Sequence, residues 1–194
     1  MKTAPITLCG RHVILETLSM AHMDSLCEVG LDKSLWEWTP NQVLSTNAMR
    51  DYIDLALRGL NDGSMLPFVI LEAPRKKAVG CTRFCAIDPD NRRVEIGWTW
   101  VGLRWQQTAI NTETKLLLLR HAFESLGCVR VELKTDALNE RSRQAILRIG
   151  ANEEGILRKH IITDSGRFRD TVYYSILDTE WPAVRERLQK SLLR

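Results

Sequence analysis

Residues 93–126 read RVEIGWTWVGLRWQQTAINTETKLLLLRHAFESL: a strand, a short polar loop and a long helix joined without a linker. The strand, 93–101, crowds β-branched and aromatic residues around Gly97. Its alternation places Val94, Ile96, Trp98 and Trp100 on one face and Glu95, Gly97, Thr99 and Val101 on the other. The loop 103–110 runs into Asn111. Beyond it Leu116, Leu119, Phe123 and Leu126 recur at three- and four-residue spacing, predicting an amphipathic helix that Gly127 ends. A loop entering a helix this abruptly presents free backbone N–H groups at the positive end of the helix dipole, which suits a pyrophosphate.

On either side of this stretch the chain reads as alternating elements of one α/β domain spanning 1–194, with no repeat, low-complexity tract or linker. A strand is expected over 12–17, a helix from an N-cap at Ser19 through Val29, and a second helix over 46–60 closed by Asn61-Asp-Gly. Strands over 65–72 and 78–87, joined by a turn at 74–77, continue into the strand at 93 and make an antiparallel meander. After it come a strand over 129–135, a helix over 139–149 stopped by Gly150, and strands 155–163 and 169–177 paired across Asp164-Ser-Gly. A polar helix with Trp181 and Pro182 in its first turn closes the chain.

Composition bounds the function. A chain of 194 residues with 44% hydrophobic content fits one domain with one sizeable core. Apolar runs such as 116–119 are far short of a membrane span, the leading residues lack a secretory signal's apolar core, and a cytoplasmic location is the expectation. Twenty-seven basic against 24 acidic residues leave +3, too little to imply nucleic-acid binding. Five cysteines, at 9, 27, 81, 85 and 128, form no Cys-x-x-Cys pair and are expected reduced and buried; Cys81 and Cys85 without a paired His motif make a poor zinc site, so no metal is expected.

The chain resembles the GNAT superfamily of N-acetyltransferases, and within it the RimJ/RimL-type branch. The residues that carry the resemblance run nearly its whole length: EIGW at 95–98, NTE at 111–113, HAFE at 121–124, RVE at 130–132, NERS at 139–142, EGILR at 154–158 and GRFRD at 166–170. The superfamily's pyrophosphate loop reads Gln/Arg-x-x-Gly-x-Gly/Ala; the matching positions are Gln106, Ala109 and Asn111, so two of three depart from the pattern. The resemblance implies a GNAT acyl-CoA N-acyltransferase fold, a mixed and mostly antiparallel α/β sheet flanked by helices. In that fold the fourth and fifth strands splay apart to admit acetyl-CoA. Parting two strands leaves N–H and C=O groups that a pantetheine chain can satisfy like an added strand. Branch members are monomers or homodimers.

Amide formation from a thioester needs a neutral amine, a donor for the developing oxyanion and a proton for the departing thiolate. Glu95 is the candidate base, on the strand beside the expected cleft where partial desolvation tunes a carboxylate; the alternative is a cross-strand partner for an arginine such as Arg83. The resemblance places the oxyanion donors at the backbone N–H groups around Trp100 and Val101. It aligns the usual thiolate acid, a Tyr, with Ile146, so Ser142 is named in its stead, with helix-end hydrogen bonding as the other reading. Asn139 is an N-cap, a pantetheine contact, or both. Cofactor binding is expected from Arg104, Gln106, Gln107, Thr108, Ala109, Ile110 and Asn111. Among Arg141, Arg143, Arg148, Arg158, Arg167 and Arg169, one or two could meet the 3′-phosphate, or all form a solvated face. Trp36 and Trp38 either recognise the acceptor or pin a long loop. The activity implied is acetyl transfer from acetyl-CoA to a primary amine, at a protein N-terminus or on a small molecule such as a polyamine, amino acid or antibiotic. A CoA-binding module without turnover is the alternative from another class.

Overall fold

A computed structural model describes residues 4–73 and 75–193; Pro74, the first residue of the expected turn at 74–77, and the leading residues 1–3 lie outside the described residues. One eight-stranded sheet runs β1 (Leu8–Cys9), β2 (Val13–Thr17), β3 (Leu66–Glu72), β4 (Lys77–Asp88), β5 (Arg93–Val101), β6 (Arg130–Asp136), β8 (Phe168–Leu177), β7 (Asn152–Ile162) in spatial order. All its neighbours are antiparallel except β5 and β6. The helices are α1 (Met23–Gly30), α2 (Thr46–Asn61), α3 (Ala109–Arg120), α4 (Glu140–Ile149) and α5 (Trp181–Leu192). No helix of the described residues is long and apolar enough to cross a membrane.

Local chemistry explains where these elements begin and end. Ser45 caps α2 by accepting the Ala48 N–H at 3.2 Å, and Asn139 caps α4 by accepting the Ser142 N–H at 3.0 Å. Before α1, the Ser19 N–H donates to His22 Nδ1 at 3.1 Å, so the expected helix start is a 3-10 turn over Met20–His22. Pro182 sits in the first turn of α5, where its missing N–H costs nothing.

Each face of the sheet carries its own core. Val94, Ile96, Val101, Val131, Leu133, Val172, Tyr174 and Ile176 pack with α3, α4 and α5, while Val69, Leu71, Cys81 and Trp100 pack with α1 and α2. The helix predicted to be amphipathic is α3, yet Leu116, Leu117, Leu118 and Leu119 are all buried, because α5 and the sheet enclose it. A π-helical turn over His121–Ser125 extends it. Its Glu113 carboxylate accepts the backbone N–H groups of Arg11, His12 and Val13 at 2.9, 2.5 and 2.8 Å, tying the β1–β2 turn to the helix. A side chain on Gly10 would meet that carboxylate at 2.5 Å.

Two expectations need correction. The strict alternation of β5 fails at Trp98: the residue lies at φ +53° in a bulge where the pairing shifts between Cys81–Trp100 and Arg83–Gly97. The extra residue flips everything after it, so Trp100 joins the α2 side and Val101 the α3 side. The expected cysteine burial also fails at Cys9, which is exposed on β1.

Candidate active site

The parallel pairing of β5 and β6 covers three rungs, Arg93–Arg130, Val94–Val131 and Glu95–Glu132, and then stops. Beyond it β6 stays paired to β8 as far as Asp136, while β5 remains on β4, so the sheet forks at Glu95. The splay expected between the fourth and fifth strands therefore falls between β5 and β6; the short Leu8–Cys9 strand, which the sequence did not reveal, advances the count by one.

The loop after β5 folds back onto this fork. Gly102 N–H donates to Val79 O at 2.8 Å, so Val101, whose peptide groups point the opposite way, faces the open side, and Trp100 faces β4. Of the two expected oxyanion donors only Val101 is thereby aimed into the splay. Gln106 Nε2 donates to Val101 O at 2.9 Å, and its Oε1 accepts from Arg141 on the first turn of α4. One side chain thus spans the mouth of the fork.

Gln107, at φ +61°, is the loop residue in left-handed geometry; Ala109 is helical, so its methyl meets no backbone penalty. Thr108 caps α3: its Oγ1 donates to Trp105 O at 2.7 Å and accepts the Ile110 N–H at 3.3 Å. That cap takes one amide expected for phosphate, and the Ile110 side chain is part of the core. Arg104 lies in the 3-10 turn Leu103–Trp105, exposed, and Asn111 is half-buried on the first turn of α3.

Across the fork, Asn139 uses its side-chain oxygen as the α4 cap, and Ser142 is half-buried one turn in. Ile146 is buried in the core. The C-terminal arginines take different partners, with Arg167 and Arg169 sharing one carboxylate. Arg143 bonds Tyr174 Oη at 3.2 Å, Arg167 reaches Asp136, Arg169 lies near the same carboxylate, and Arg141 holds Gln106.

Glu95 is buried, and its partner is Lys134 of β6, with Nζ 2.9 Å from Oε2, not Arg83. Arg83 is fully buried elsewhere on that face, stacked 4.3 Å from the Tyr52 ring and 4.4 Å from the Trp98 ring. A side chain at Gly97 would meet Glu95 Oε1 at 2.6 Å and Cys85 Sγ at 3.1 Å, so glycine keeps the carboxylate's space clear. Burial pulls the Lys134 ammonium down, but the charge of Glu95 and the hydrogen bond to it outweigh this and hold it above its usual range. On the α3 side Lys115, also buried, donates to Thr99 Oγ1 at 2.9 Å, and burial brings it down to about 7. Burial pushes the Cys81 and Cys85 thiols up to about 12.

Trp36 does not reach an acceptor: at 3% exposure it packs on Tyr52 and Trp100 and donates from Nε1 to Gly30 O at 2.7 Å, pinning the loop. Trp38 is half-buried beneath the Arg167 guanidinium, 5.7 Å from the ring centre. The exposed tryptophan on the Glu95 side of the fork is Trp98. Lys134, Lys115 and Trp98 were not singled out as site residues from the sequence. A signal for Lys134 was there, because the alternation of RVELKTD at 130–136 puts Lys134 on the face opposite the apolar Val131 and Leu133.

A family model described as an acetyltransferase (GNAT) domain matches residues 12–152. The chain belongs to the GNAT acetyltransferases. The crystal structure of a GCN5-related N-acetyltransferase from Brucella melitensis superposes with a TM-score of 0.91 at 30% identity, covering 99% of this chain and 87% of that one. YdaF of Bacillus subtilis, provisionally named a ribosomal N-acetyltransferase, is 38% identical over 95 residues, 49% of this chain and 51% of YdaF. The chain thus matches about half the length of that relative. RimJ of Mycobacterium smegmatis, solved in complex with CoA-disulfide, shares the fold at a TM-score of 0.84 and 23% identity, over 96% of this chain and 95% of RimJ. The YdaF match supports the RimJ/RimL-type branch within the GNAT family.

Proposed function

We propose that this chain transfers an acetyl group from acetyl-CoA to the α-amino group of a peptide or protein N-terminus. The fork carries the reading: β5 and β6 part after Glu95–Glu132, with the starts of α3 and α4 at its mouth and a buried carboxylate at its base. The edge of β5 beyond Glu95 and the N–H of Val101 offer unpaired backbone to an extended pantetheine chain. Gln106, Arg141, Arg104, Gln107 and the amides of Thr108, Ala109 and Asn111 line the place for its pyrophosphate.

When bound, acetyl-CoA supplies an activated carbonyl carbon. Glu95 takes a proton from the attacking amine, and Lys134, 2.9 Å away, holds that carboxylate in orientation between turnovers. The Val101 N–H is the oxyanion donor. Ser142, at the start of α4, donates a hydrogen bond to the departing thiolate, which takes its proton from solvent; Asn139 holds the Ser142 backbone through the cap.

The choice of acceptor rests on proton chemistry. An α-amine titrates near about 7.7–8.0 and a lysine-type amine near about 10.4, so the α-amine needs little help from a single carboxylate at neutral pH. The provisional name of YdaF points the same way. Coenzyme A release measured with a peptide library and a panel of small amines, with products read by mass spectrometry, tests this. Acetylation confined to polyamines or aminoglycosides rejects the acceptor, and cofactor binding without turnover of any amine rejects the enzyme.

A further inference from the structure

The face of the sheet that carries Glu95 also carries a buried arginine whose Nε has no hydrogen bond. Val172, Tyr174 and Ile176 of β8 point into the α3–α5 core, so Arg169, Thr171 and Tyr173 face the other way, as Glu95 does. Arg169 is 5% exposed. Among the described residues its nearest ion-pair partner is Asp136, with Nε 3.8 Å from Oδ2, too far for a hydrogen bond, and Nε has no other partner. Asp136 is itself engaged by the Leu138 N–H at 2.9 Å and by Arg167. Two residues along the same strand, the fully buried Thr171 hydroxyl also lacks a partner.

A charged group removed from water must recover its hydrogen bonds, and a guanidinium has five donors to satisfy. Asp136, Arg167 and Glu95 are among the charges that act on Arg169, which lies on the Glu95 face of the sheet, on the β8 side of the fork. Three cations, Lys134, Arg167 and Arg169, face two carboxylates, Glu95 and Asp136, so the local balance favours an incoming oxygen and disfavours a polycation. The tip of the β7–β8 hairpin is clasped to the loop that follows Trp38 by Asp164, whose N–H donates to Pro40 O and whose carboxylate accepts from Asn41 and Gln42.

We infer that Arg169 binds the first peptide carbonyl of the acceptor, so that the site takes an amine carried on a carbon next to a carbonyl in preference to a plain alkylamine. This rests on the acetyl-transfer reading above and deepens it. Planar guanidinium donors suit a carbonyl oxygen, and one oxygen held at Arg169 leaves the neighbouring amine free to turn toward Glu95. Thr171 supports the same subsite as a second donor.

The experiment compares a dipeptide amide with the analogue whose first carbonyl is replaced by methylene, at matched concentrations of neutral amine, in the intact protein and in Arg169→Lys. The intact protein is expected to favour the dipeptide in kcat/KM by roughly tenfold or more, chiefly through KM, and Arg169→Lys to erase most of that preference. A preference under about twofold in the intact protein, or one that survives in a folded Arg169→Lys, overturns the inference; if the variant does not fold, the ratio in the intact protein decides. Turnover without discrimination sinks this inference alone, whereas no turnover with any peptide sinks the reading beneath it as well.

Discussion

Lys134 Nζ stands 2.9 Å from Glu95 Oε2, just past the last rung that joins β5 to β6. The pair bridges the two strands where their backbones no longer do. Glu95→Gln keeps the size of the side chain and removes its basicity, so kcat should fall on the order of 10²-fold with a smaller change in acetyl-CoA affinity. An unaltered pH–rate profile in the folded variant would leave Glu95 a purely structural role. Lys134→Met strands a buried carboxylate, and a lower melting temperature together with lost kcat is the expected result.

Lys115 gives a pH dependence of stability whose sign follows from its burial. Its folded value, about 7, lies below the ordinary lysine value of 10.5, so between those limits the unfolded chain binds more protons than the folded one. This group's contribution to stability therefore rises as pH increases from about 7 toward 10.5 and is flat below 7. The Glu95 carboxylate opposes the shift, and Cys85 would do so only once its thiol ionised. Denaturant melts across pH 7–10 should show this rise in the intact protein and lose it in Lys115→Met.

Gln106 and Gln107 separate binding from backbone strain in the loop. Gln106→Ala breaks the tie from Val101 to Arg141, and calorimetry should read weaker acetyl-CoA binding with little change in melting temperature. Gln107→Gly relieves a left-handed residue and should raise the melting temperature, while Gln107→Val, β-branched at φ +61°, should destabilise by about 1–2 kcal/mol. Equal cofactor affinity in Gln106→Ala and the intact protein would remove the loop from the pyrophosphate site.

Glu113 is a structural carboxylate with three backbone donors on it. Glu113→Gln exchanges one acceptor oxygen for a donor facing another donor and should cost about 1–3 kcal/mol in chemical denaturation. Gly10→Ala should be destabilising by a similar route, since its methyl occupies the carboxylate's place.

The two tryptophans of the covering loop should part in their effects. Trp36→Ala opens the core against Tyr52 and Trp100 and should cost about 3–5 kcal/mol of stability. Trp38→Ala, at the half-buried rim under Arg167, should chiefly raise KM for peptide, measured against an unchanged KM for acetyl-CoA.

What the sequence determined by itself was local. Helix and strand placement followed from periodicity, and helix ends from Asn139, Pro182 and Gly150, because a cap or a face is set by residues within a turn of one another. The ordered residues from EIGW to GRFRD were enough to expect the family. What only the tertiary structure decided depends on which distant residues meet. The fork begins at Glu95 because β6 leaves β5 to follow β8, and the bulge at Trp98 reverses the faces of β5 because β4 offers one residue too few. Trp36 is buried by packing on α2 and β5, and Glu95 and Arg169 take their surroundings from β6. Pairing register and burial arise from contacts between segments far apart in the chain, and no spacing within one segment encodes them.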